Sequence, residues 1–398
     1  MSKILENAYF IGLMICIFVL FHIFSFFLGD IKSVKSYRMI KDPDVISIKT
    51  LNNLLLVNII VPAWKEDLVF KECLNSISQL SYPKLRVIVN AGGDEQTIKT
   101  ANYYKDDRRY VILLQEGGAD RPSLGKIKAL NDCLLLVSEG IVYFIDADST
   151  LNDEILLRMI YPIINLDEDM VAGGVRPLKA QENKNIVKYL VFDRFFKAKA
   201  FEFTRYSYNG PITGQSLCMK YSVIKSIGCF STGKNYATDL SMGEDLFSKG
   251  YKLYQNMDYK SRIFVDYSST FKDYMRQKTI WIENSIVFGI KRSKIALLKF
   301  LILWLFSLYI LALPLLIFIN YAFFIIGFFL FINYYLVKIR KLLLYTKTVR
   351  KQDRVRYKPS FFLFLIFIVF FEAIIVIRIP FHYVLFKKRL KKKNIKIN

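Results

Sequence analysis

The sequence has little histidine and no paired cysteine spacing, and both shortages exclude classes of chemistry. Its two histidines, His22 and His382, lie in long apolar segments. The region between those segments therefore has no histidine for a Ser-His-Asp triad, a Cys-His pair or a histidine-ligated metal. None of the five cysteines has C-x-x-C spacing, so zinc and dithiol redox sites are unsupported. We expect the cysteines to be small, buried, reduced apolar residues.

Glycine-rich nucleotide fingerprints are also missing. Neither G-x-G-x-x-G nor G-x-x-x-x-G-K-[ST] occurs, and Gly117, Gly118 and Gly125 are too loosely spaced to form one. A hydride-transfer enzyme or a P-loop ATPase is therefore disfavoured.

Long apolar runs, by contrast, are abundant, and hydrophobic residues make up 53% of the chain. Residues 8–28 form one uncharged run, which predicts a membrane helix within residues 1–29. Residues 300–337 are almost wholly apolar and are interrupted near Asn320, which predicts two spans joined by a tight turn. A further apolar block covers residues 360–386, so we assign residues 300–386 to a C-terminal membrane region.

Positive charge is concentrated beside these runs. The net charge is +23, with nine Lys/Arg in residues 338–358 and seven in residues 387–398. Basic segments next to spans mark the cytoplasmic side and attract anionic lipids, which disfavours a nucleic-acid partner. Residues 30–300, which begin with the basic linker 30–50 and contain the predicted catalytic domain, are therefore predicted to be cytosolic, as is the tail 387–398. The protein is predicted to be an integral protein of the cell membrane. Residues 360–386 then either cross the membrane against this rule or form a re-entrant or interfacial segment.

The region between the spans alternates strands and helices. Strand-like apolar runs at residues 54–62, 85–89, 110–114 and 141–145 are separated by helical patterns. This alternation predicts an α/β domain over residues 51–270 with a doubly wound parallel sheet, of the kind that binds nucleotides. In such a domain the ligand lies at the carboxyl ends of the strands.

Two carboxylates follow the fourth predicted strand. Asp146 and Asp148 are one residue apart, so in extended backbone both side chains lie on the same face. Oxygen ligands of this type suit Mg²⁺ or Mn²⁺ shared with a diphosphate. The alternative is that Asp-Ala-Asp-Ser serves only as turn and N-cap residues.

Three further segments contain candidate site residues. Lys126 could act as a point charge near a phosphate, or it could lie on an exposed helix face. Glu244 and Asp245 are predicted to lie at a helix start, where the alternative role is capping. The interfacial segment 271–299 contains Gln277 and Trp281, and the Trp could instead be an interfacial anchor.

The order of these motifs is more specific than any one of them. The motifs are Pro62 to Asp67, Asp94, Gly125 to Asn131, Asp146-Ala147-Asp148, Glu244-Asp245 and Gln277 to Trp281. In this order they resemble the family 2 glycosyltransferases with a GT-A fold. The membrane-integrated branch of that family includes cellulose, chitin and hyaluronan synthases and ceramide glucosyltransferase. The resemblance covers residues 54–290.

The resemblance implies a role for each motif residue. It implies that Asp148 and Asp146 hold a metal and the nucleotide, and that Lys126 neutralises the diphosphate. It implies that Asp245, next to Glu244, is the general base of an inverting transfer. The remaining implied contacts are to the nucleoside, by Pro62, Glu66 and Asp94, and to the acceptor, by Gln277 and Trp281.

The chain departs from the family pattern at two places. Asn90-Ala91 stands where the second-strand motif usually begins with Asp, and Ile280 stands where the closing motif usually has Arg. Arg276 or a nearby Lys is the candidate replacement for that Arg.

The sequence thus predicts a membrane-embedded, metal-dependent, inverting glycosyltransferase. We expect a nucleotide-sugar donor, with UDP-sugar favoured, and a lipid or lipid-linked glycan acceptor. The alternatives are a processive polysaccharide synthase of the same family and a catalytically inactive, transferase-like membrane scaffold.

Overall fold

A computed structural model of the chain describes most residues from 46 onward. The described residues are 9–10, 12–13, 16–17, 20, 24, 28, 30–31, 34, 46–66, 68–115, 125–195, 205–209, 212, 214–232, 238–256, 258–292, 294–349, 351 and 354–392. The predicted N-terminal membrane helix therefore lies largely outside the described residues, as does most of the basic linker.

The chain forms two compact units. One comprises Lys41–Gln181 and Lys197–Tyr267, and is called the sheet unit below. The other comprises Met1–Ile40, Glu182–Phe196 and Ser268–Asn398, and is called the helical unit. Residues 182–196 thus group with the C-terminal helices, although they lie within the predicted 51–270 domain in sequence.

The sheet unit is built on an eight-stranded sheet. In chain order the described strands are β1 (Val57–Trp64), β2 (Leu85–Gly92), β3 (Tyr110–Leu114), β4 (Ile141–Ile145), β5 (Ser149–Thr150), β6 (Met170–Ala172), β7 (Val175–Pro177), β8 (Tyr206–Ser207), β9 (Ser216–Lys220), β10 (Leu253–Gln255) and β11 (Ile263–Val265). The large sheet has the order β3-β2-β1-β4-β9-β6-β10-β8. Strands β1 to β4 correspond to the four predicted strands, and they pair in parallel. The α/β prediction is therefore confirmed.

The other half of this sheet is mixed, with β10 parallel to β6 and the remaining pairs antiparallel. Strand β9 pairs antiparallel with both β4 and β6, with Tyr143 opposite Cys218, and β8 pairs antiparallel with β10. The predicted parallel pairing thus holds for β1 to β4 and does not extend to every strand of the sheet. A short buried strand has the same apolar pattern in either direction, so its direction cannot be inferred from that pattern.

The described helices pack on the sheet or form the helical unit. They are α1 (Leu68–Ser78), α2 (Glu95–Asn102), α3 (Lys126–Leu134), α4 (Asp153–Asn165), α5 (Asn185–Phe195), α6 (Tyr221–Ile227), α7 (Thr238–Ser248), α8 (Phe271–Arg292), α9 (Lys294–Ile319), α10 (Tyr321–Thr348) and α11 (Ser360–Lys392). Helix α1 shows why they form: it buries Phe70, Cys73, Leu74 and Ile77. This i, i+3, i+4, i+7 spacing gives one apolar face.

Three of the five cysteines are buried, as the sequence predicts. Cys73, Cys133 and Cys218 are buried, whereas Cys229 is exposed and Cys16 is intermediate. The expectation of burial is therefore wrong for Cys229.

A small second sheet begins with β5, shortly after β4 ends. Its strand order is β5-β11-β7, with β11 antiparallel to β5 and parallel to β7. The Asp266 N–H donates to the Asp148 carbonyl oxygen at 3.1 Å, directly after β11. This bond fixes the backbone that follows β4.

Three helices among the described residues are long and apolar enough to cross a membrane. The candidate spans are Leu297–Ile319, Tyr321–Thr348 and Ser360–Phe381. The predicted turn lies at Asn320, whose side chain accepts from the Ala322 N–H at 2.9 Å and caps α10. Helix α11 runs unbroken through Pro380, so residues 360–386 do not form the hairpin that the sequence left open.

A cluster of buried charges links four helices of the helical unit. Glu372 of α11 pairs with Lys338 of α10 and accepts from the hydroxyls of Tyr189 and Tyr274 at 2.6 and 2.9 Å. Lys278 of α8 lies 3.3 Å from Glu372. A charge in an apolar helix is expensive unless it is paired, so this network explains how the span accommodates Glu372.

Asp193 of α5 extends the same cluster. Its carboxylate pairs with Lys278 at 2.9 Å and with Lys341. Burial opposes ionisation, but the two lysines hold the pKa of the Asp193 carboxyl well below its usual range. Asp193 therefore stays charged at neutral pH and keeps α5 joined to α8 and α10.

We expect Glu372→Gln to lower the free energy of unfolding by about 3–5 kcal/mol, because it leaves Lys338 buried without its charged partner. The midpoint of thermal unfolding in detergent measures this. The matched control is Arg378→Gln on the same helix, where the side chain is exposed and the change should stay within about 0.5 kcal/mol. Equal midpoints for Glu372→Gln and the parent protein would contradict the pairing.

Candidate active site

Five predicted site residues meet at one cleft of the sheet unit. The cleft has a volume of about 250 Å³. Its lining includes Pro62, Glu66, Lys126, Asp146 and Asp148. Pro62 lies near the end of β1, and the two aspartates follow β4, so the cleft lies at the carboxyl ends of neighbouring parallel strands. This is the edge at which open α/β sheets bind ligands.

The two aspartates reach the cleft through a turn. The Ser149 N–H donates to the Asp146 carbonyl oxygen at 3.1 Å, which closes a turn over residues 146–149. The extended backbone assumed from the sequence is therefore wrong here. Ala147 is buried between them with 3% exposure, and both aspartates line the cleft all the same.

Lys126 brings positive charge to these carboxylates. It is the first residue of α3, directly after Gly125, whose φ of 89° favours glycine. Its ammonium forms an ion pair with Asp146. Burial alone would lower the pKa of Lys126, but the charges of Asp146 and Asp239 outweigh it and raise that pKa above its ordinary value. Lys126 is therefore a permanent cation at the cleft.

The donor set of the cleft fits a hard divalent cation. Asp146 and Asp148 present oxygen atoms, which Mg²⁺ and Mn²⁺ prefer. No group of three or more metal-ligating acid, histidine or cysteine side chains occurs among the described residues. Two carboxylates are nevertheless sufficient for Mg²⁺, which usually completes its shell with water and substrate phosphate.

The turn after β1 brings Glu66 to the cleft. Lys65 has a φ of 57°, unusual for a residue with a side chain, and its N–H donates to the Gly92 carbonyl oxygen at 3.1 Å. The Thr97 hydroxyl accepts from the Glu66 N–H at 2.8 Å and donates to the Glu66 carbonyl oxygen. Glu66 is thus held at the cleft through its backbone.

Asp94 has a structural contact of its own. Its side chain accepts from the Thr97 N–H at 2.8 Å and caps α2. The hydrogen bonds from Thr97 hold the pKa of the Asp94 carboxyl below its ordinary value. Asp94 is not among the residues that line the cleft, so the cleft does not contain the predicted pair of Asp94 and Glu66.

Glu244 and Asp245 lie farther into their helix than the sequence suggested. The described part of α7 begins at Thr238, so the predicted helix start at Gly243 was wrong. Both carboxylate oxygens of Asp245 accept from Ser231, one from the N–H at 2.7 Å and one from the hydroxyl at 2.8 Å. Asp245 therefore anchors the segment that precedes α7.

Asn131 anchors the same segment from α3. Its side-chain amide donates to the Phe230 carbonyl oxygen at 2.8 Å and accepts from the Phe230 N–H at 3.0 Å. The motif from Gly125 to Asn131 thus places the charge of Lys126 at the cleft and holds the loop at Phe230 through the amide of Asn131.

Asp239 is a carboxylate near Lys126 that the sequence reasoning missed. It lies in the first turn of α7, and its charge acts on Lys126. A Cβ added at Gly214 would lie 2.5 Å from Asp239 Oδ1, so a larger residue at this position would displace the carboxylate. The available signal was Thr238-Asp239 itself, an N-terminal helix pair six residues before the motif that was chosen.

Gln277 and Trp281 belong to the helical unit. The Ser268 hydroxyl donates to Gln277 Oε1 at 3.0 Å. The guanidinium of Arg194 lies 4.8 Å from the centroid of the Trp281 ring, a cation–π distance. Ile280, the residue that replaces the usual Arg, is 46% exposed, and Lys278 is occupied by Asp193 and Glu372.

Comparison with known proteins decides the family. A family model described as glycosyl transferase family group 2 matches residues 141–345, which is more than half of the chain. The chain belongs to this family of glycosyltransferases. The resemblance inferred from the motif order is therefore confirmed.

Two relatives give the extent of the likeness. The chain is 23% identical over 250 residues to a probable glycosyltransferase, YdaM, of Bacillus subtilis. The alignment covers 60% of this chain, and the chain spans 57% of that curated relative. A solved structure, the mannosyltransferase PcManGT from Pyrobaculum calidifontis in complex with GDP-Man and Mn²⁺, has a TM-score of 0.53 at 15% identity. It aligns with 92% of this chain and 98% of its own length, and it supports the GT-A-like fold.

Proposed function

We propose that this glycosyltransferase moves a sugar from a nucleoside diphosphate sugar to a hydroxyl acceptor in a single inverting displacement. The observation that carries the proposal is the convergence of Asp146, Asp148 and Lys126 on one cleft at the carboxyl edge of the sheet. A leaving nucleoside diphosphate is strongly anionic, and this cleft offers the charges that would hold it.

Each residue of the cleft has a distinct task in this mechanism. Asp148 and Asp146 would hold Mg²⁺ or Mn²⁺, which when bound supplies charge stabilisation to the diphosphate oxygens. Lys126 adds a fixed positive charge beside the same phosphates, where charge accumulates as the sugar–phosphate bond breaks. Pro62 and Glu66 line the part of the cleft nearest β1, where the nucleoside is proposed to lie.

The acceptor hydroxyl needs a base, and we propose Asp239 for this role in place of Asp245. The new bond joins the acceptor oxygen to the anomeric carbon as the phosphate oxygen leaves with the bonding electrons. The acceptor proton passes to the carboxylate. The charge of Asp239 helps to raise the pKa of Lys126, whereas both carboxylate oxygens of Asp245 accept from Ser231. A base must reach the reacting proton, and this favours Asp239.

The donor and acceptor classes are proposed from the relatives and the helices. The mannosyltransferase structure contains GDP-Man and Mn²⁺, so a nucleotide sugar with a divalent cation is a reasonable donor complex here. We favour UDP- or GDP-sugars. The three candidate spans suit an acceptor presented at a membrane surface, for which we propose a lipid or lipid-linked glycan at the cytosolic face of the cell membrane.

A processive polysaccharide synthase is the second candidate. Family membership and the candidate spans are compatible with it, but the three candidate spans of the described residues are few to enclose a polymer. Incubating membranes with radiolabelled UDP- and GDP-sugars separates the two: label extracted into organic solvent supports a lipid product, and label retained as long polymer supports the synthase.

Nucleotide binding tests the proposal directly. We expect the full chain in detergent to bind UDP or GDP with Mn²⁺, and EDTA to weaken that binding at least about 100-fold, because several kcal/mol of attraction to the diphosphate are lost. Isothermal titration calorimetry measures this. Uridine and guanosine, which lack phosphate, are the control ligands, and EDTA should leave their affinities unchanged. Full affinity for both diphosphates in EDTA would refute the metal-dependent site.

A further inference from the structure

We propose that Gln115 reads the Watson–Crick edge of the donor base and thereby sets the nucleotide preference of the cleft. The inference rests on the proposed function, because it assigns a contact within the same donor site. It concerns a residue that belongs to none of the family motifs quoted above.

Gln115 is fixed at the edge of the cleft. It follows β3 directly, and its N–H donates to the Ala91 carbonyl oxygen at 2.9 Å, which extends the β2–β3 pairing by one residue. The residue is only 8% exposed, yet it contributes to the cleft lining beside Trp64. Its side chain is therefore buried in protein except where it faces the cleft.

The side-chain carbonyl oxygen of Gln115, Oε1, has no hydrogen-bond donor in the described part of the chain. An unsatisfied buried acceptor is costly, and native proteins rarely keep one without a reason. Because this oxygen belongs to a cleft-lining residue, a ligand N–H can supply the missing bond.

The neighbouring backbone is shaped to bring Gln115 close to Trp64. A Cβ added at Gly92 would lie 2.9 Å from the Gln115 Cβ and 3.1 Å from Trp64 Cζ3. Only a residue without a side chain leaves both groups in place. The indole of Trp64 and the amide of Gln115 thus border the same end of the cleft, which suits the face and the edge of a planar base.

Asn90 Oδ1, near the end of β2, likewise lacks a donor among the described residues, but Asn90 does not line the cleft. Ala91 has no polar side chain, and Asn90 is only 2% exposed. The Asn90 amide donates to the Ala129 carbonyl oxygen at 3.2 Å, under α3. Asn90 stands where the family pattern usually has Asp, and Asp94, the acidic residue that follows β2, caps α2. Gln115, directly after the adjacent strand β3, provides the contact to the base instead.

The chemistry of a carboxamide indicates the ligand class. Gln115 can accept from a ring N–H and donate to the adjacent carbonyl, which complements the lactam edge of uracil or guanine. A carboxylate at this position would behave differently. It could accept from both N1–H and the 2-amino group of guanine, whereas its second oxygen would face the O4 carbonyl of uracil and repel it.

Calorimetry with the full chain in detergent and Mn²⁺ tests the assignment, with UDP, GDP and inorganic pyrophosphate as probes. We expect Gln115→Met to weaken the better-bound nucleotide about 10- to 100-fold, since a buried hydrogen-bonding edge loses its partner. Pyrophosphate has no base, so its affinity should not change. Gln115→Glu should shift the UDP-to-GDP affinity ratio towards GDP. Gln79→Met, at an exposed position outside the cleft, is the matched control and should change none of the three affinities.

The outcomes separate this inference from the proposed function. If both Gln115 variants bind UDP and GDP like the parent chain while EDTA still abolishes that binding, Gln115 is not the reader and the donor site stands. An equal loss for pyrophosphate would show a general disturbance of the cleft and would also overturn the assignment. If the parent chain binds none of the three probes, the donor site and this inference fail together.

Discussion

Asp148→Asn is expected to lower glycosyl transfer about 10³-fold at saturating donor. The substitution keeps the size of the side chain but removes its charge, so the cation that Asp148 would hold is lost or misplaced. Removing one preorganised electrostatic contact to a developing charge typically costs a factor of about 10²–10³, and a metal contributes several kcal/mol of charge stabilisation.

The measurement combines rate with metal affinity. Initial rates are followed with radiolabelled UDP- and GDP-sugars, and the Mn²⁺ requirement of nucleotide binding is titrated in parallel. Asp132→Asn is the matched control, because Asp132 pairs only at the surface with Lys128, at 3.3 Å; its rate should equal that of the parent chain. An unchanged rate and an unchanged Mn²⁺ requirement in Asp148→Asn would contradict the role of this carboxylate.

A second large effect is expected at Asp239. Asp239→Asn should lower kcat about 10²- to 10⁴-fold, the range typical of a lost general base. Donor binding should persist or become slightly tighter, because a negative charge is removed near Lys126 and the diphosphate. The expected pattern is therefore a loss in kcat with unimpaired UDP or GDP affinity.

Asp245→Asn provides the comparison that decides between the two carboxylates. Its loss should disturb the bonds to Ser231 and lower the free energy of unfolding by about 1–3 kcal/mol, with most of the transfer rate retained in the folded protein. The reverse result, in which Asp245→Asn abolishes turnover and Asp239→Asn does not, would restore the assignment made from the sequence. If neither substitution lowered the transfer rate of an active parent chain, neither carboxylate would be the base. The inactive-scaffold alternative would gain support if the parent chain itself showed no transfer.

The strand pattern shows how far sequence reasoning reaches. Strands β1 to β4 were predicted within a few residues, because each is a run of consecutive apolar residues bounded by polar turns. The Asp146–Asp148 pair was found for the same reason: it directly follows the last of these runs. Local patterns of this kind are visible without knowledge of distant contacts.

Other parts of the site could not be found in this way. The direction of β9 depends on its pairing with β4 and β6, which are distant in sequence. The start of α7 at Thr238 determined that Asp239, rather than Asp245, lies in the first turn. Both aspartates belong to the same helix, and their contacts distinguish them: Asp245 accepts from Ser231, whereas Asp239 lies near Gly214 and its charge acts on Lys126.

By itself, the sequence determined the family, the alternation of strands and helices, the apolar segments long enough to span a membrane and the carboxylate pair after β4. These properties are written in neighbouring residues, through periodicity, run length and motif order. Only the tertiary structure decided which charged and polar groups lie close together: Asp239 with Lys126, Glu372 with Lys338, and Gln115 with the residues of the cleft. Electrostatic and hydrogen-bonding partners act over a few ångströms, and folding brings together residues that the chain separates by tens to hundreds of positions.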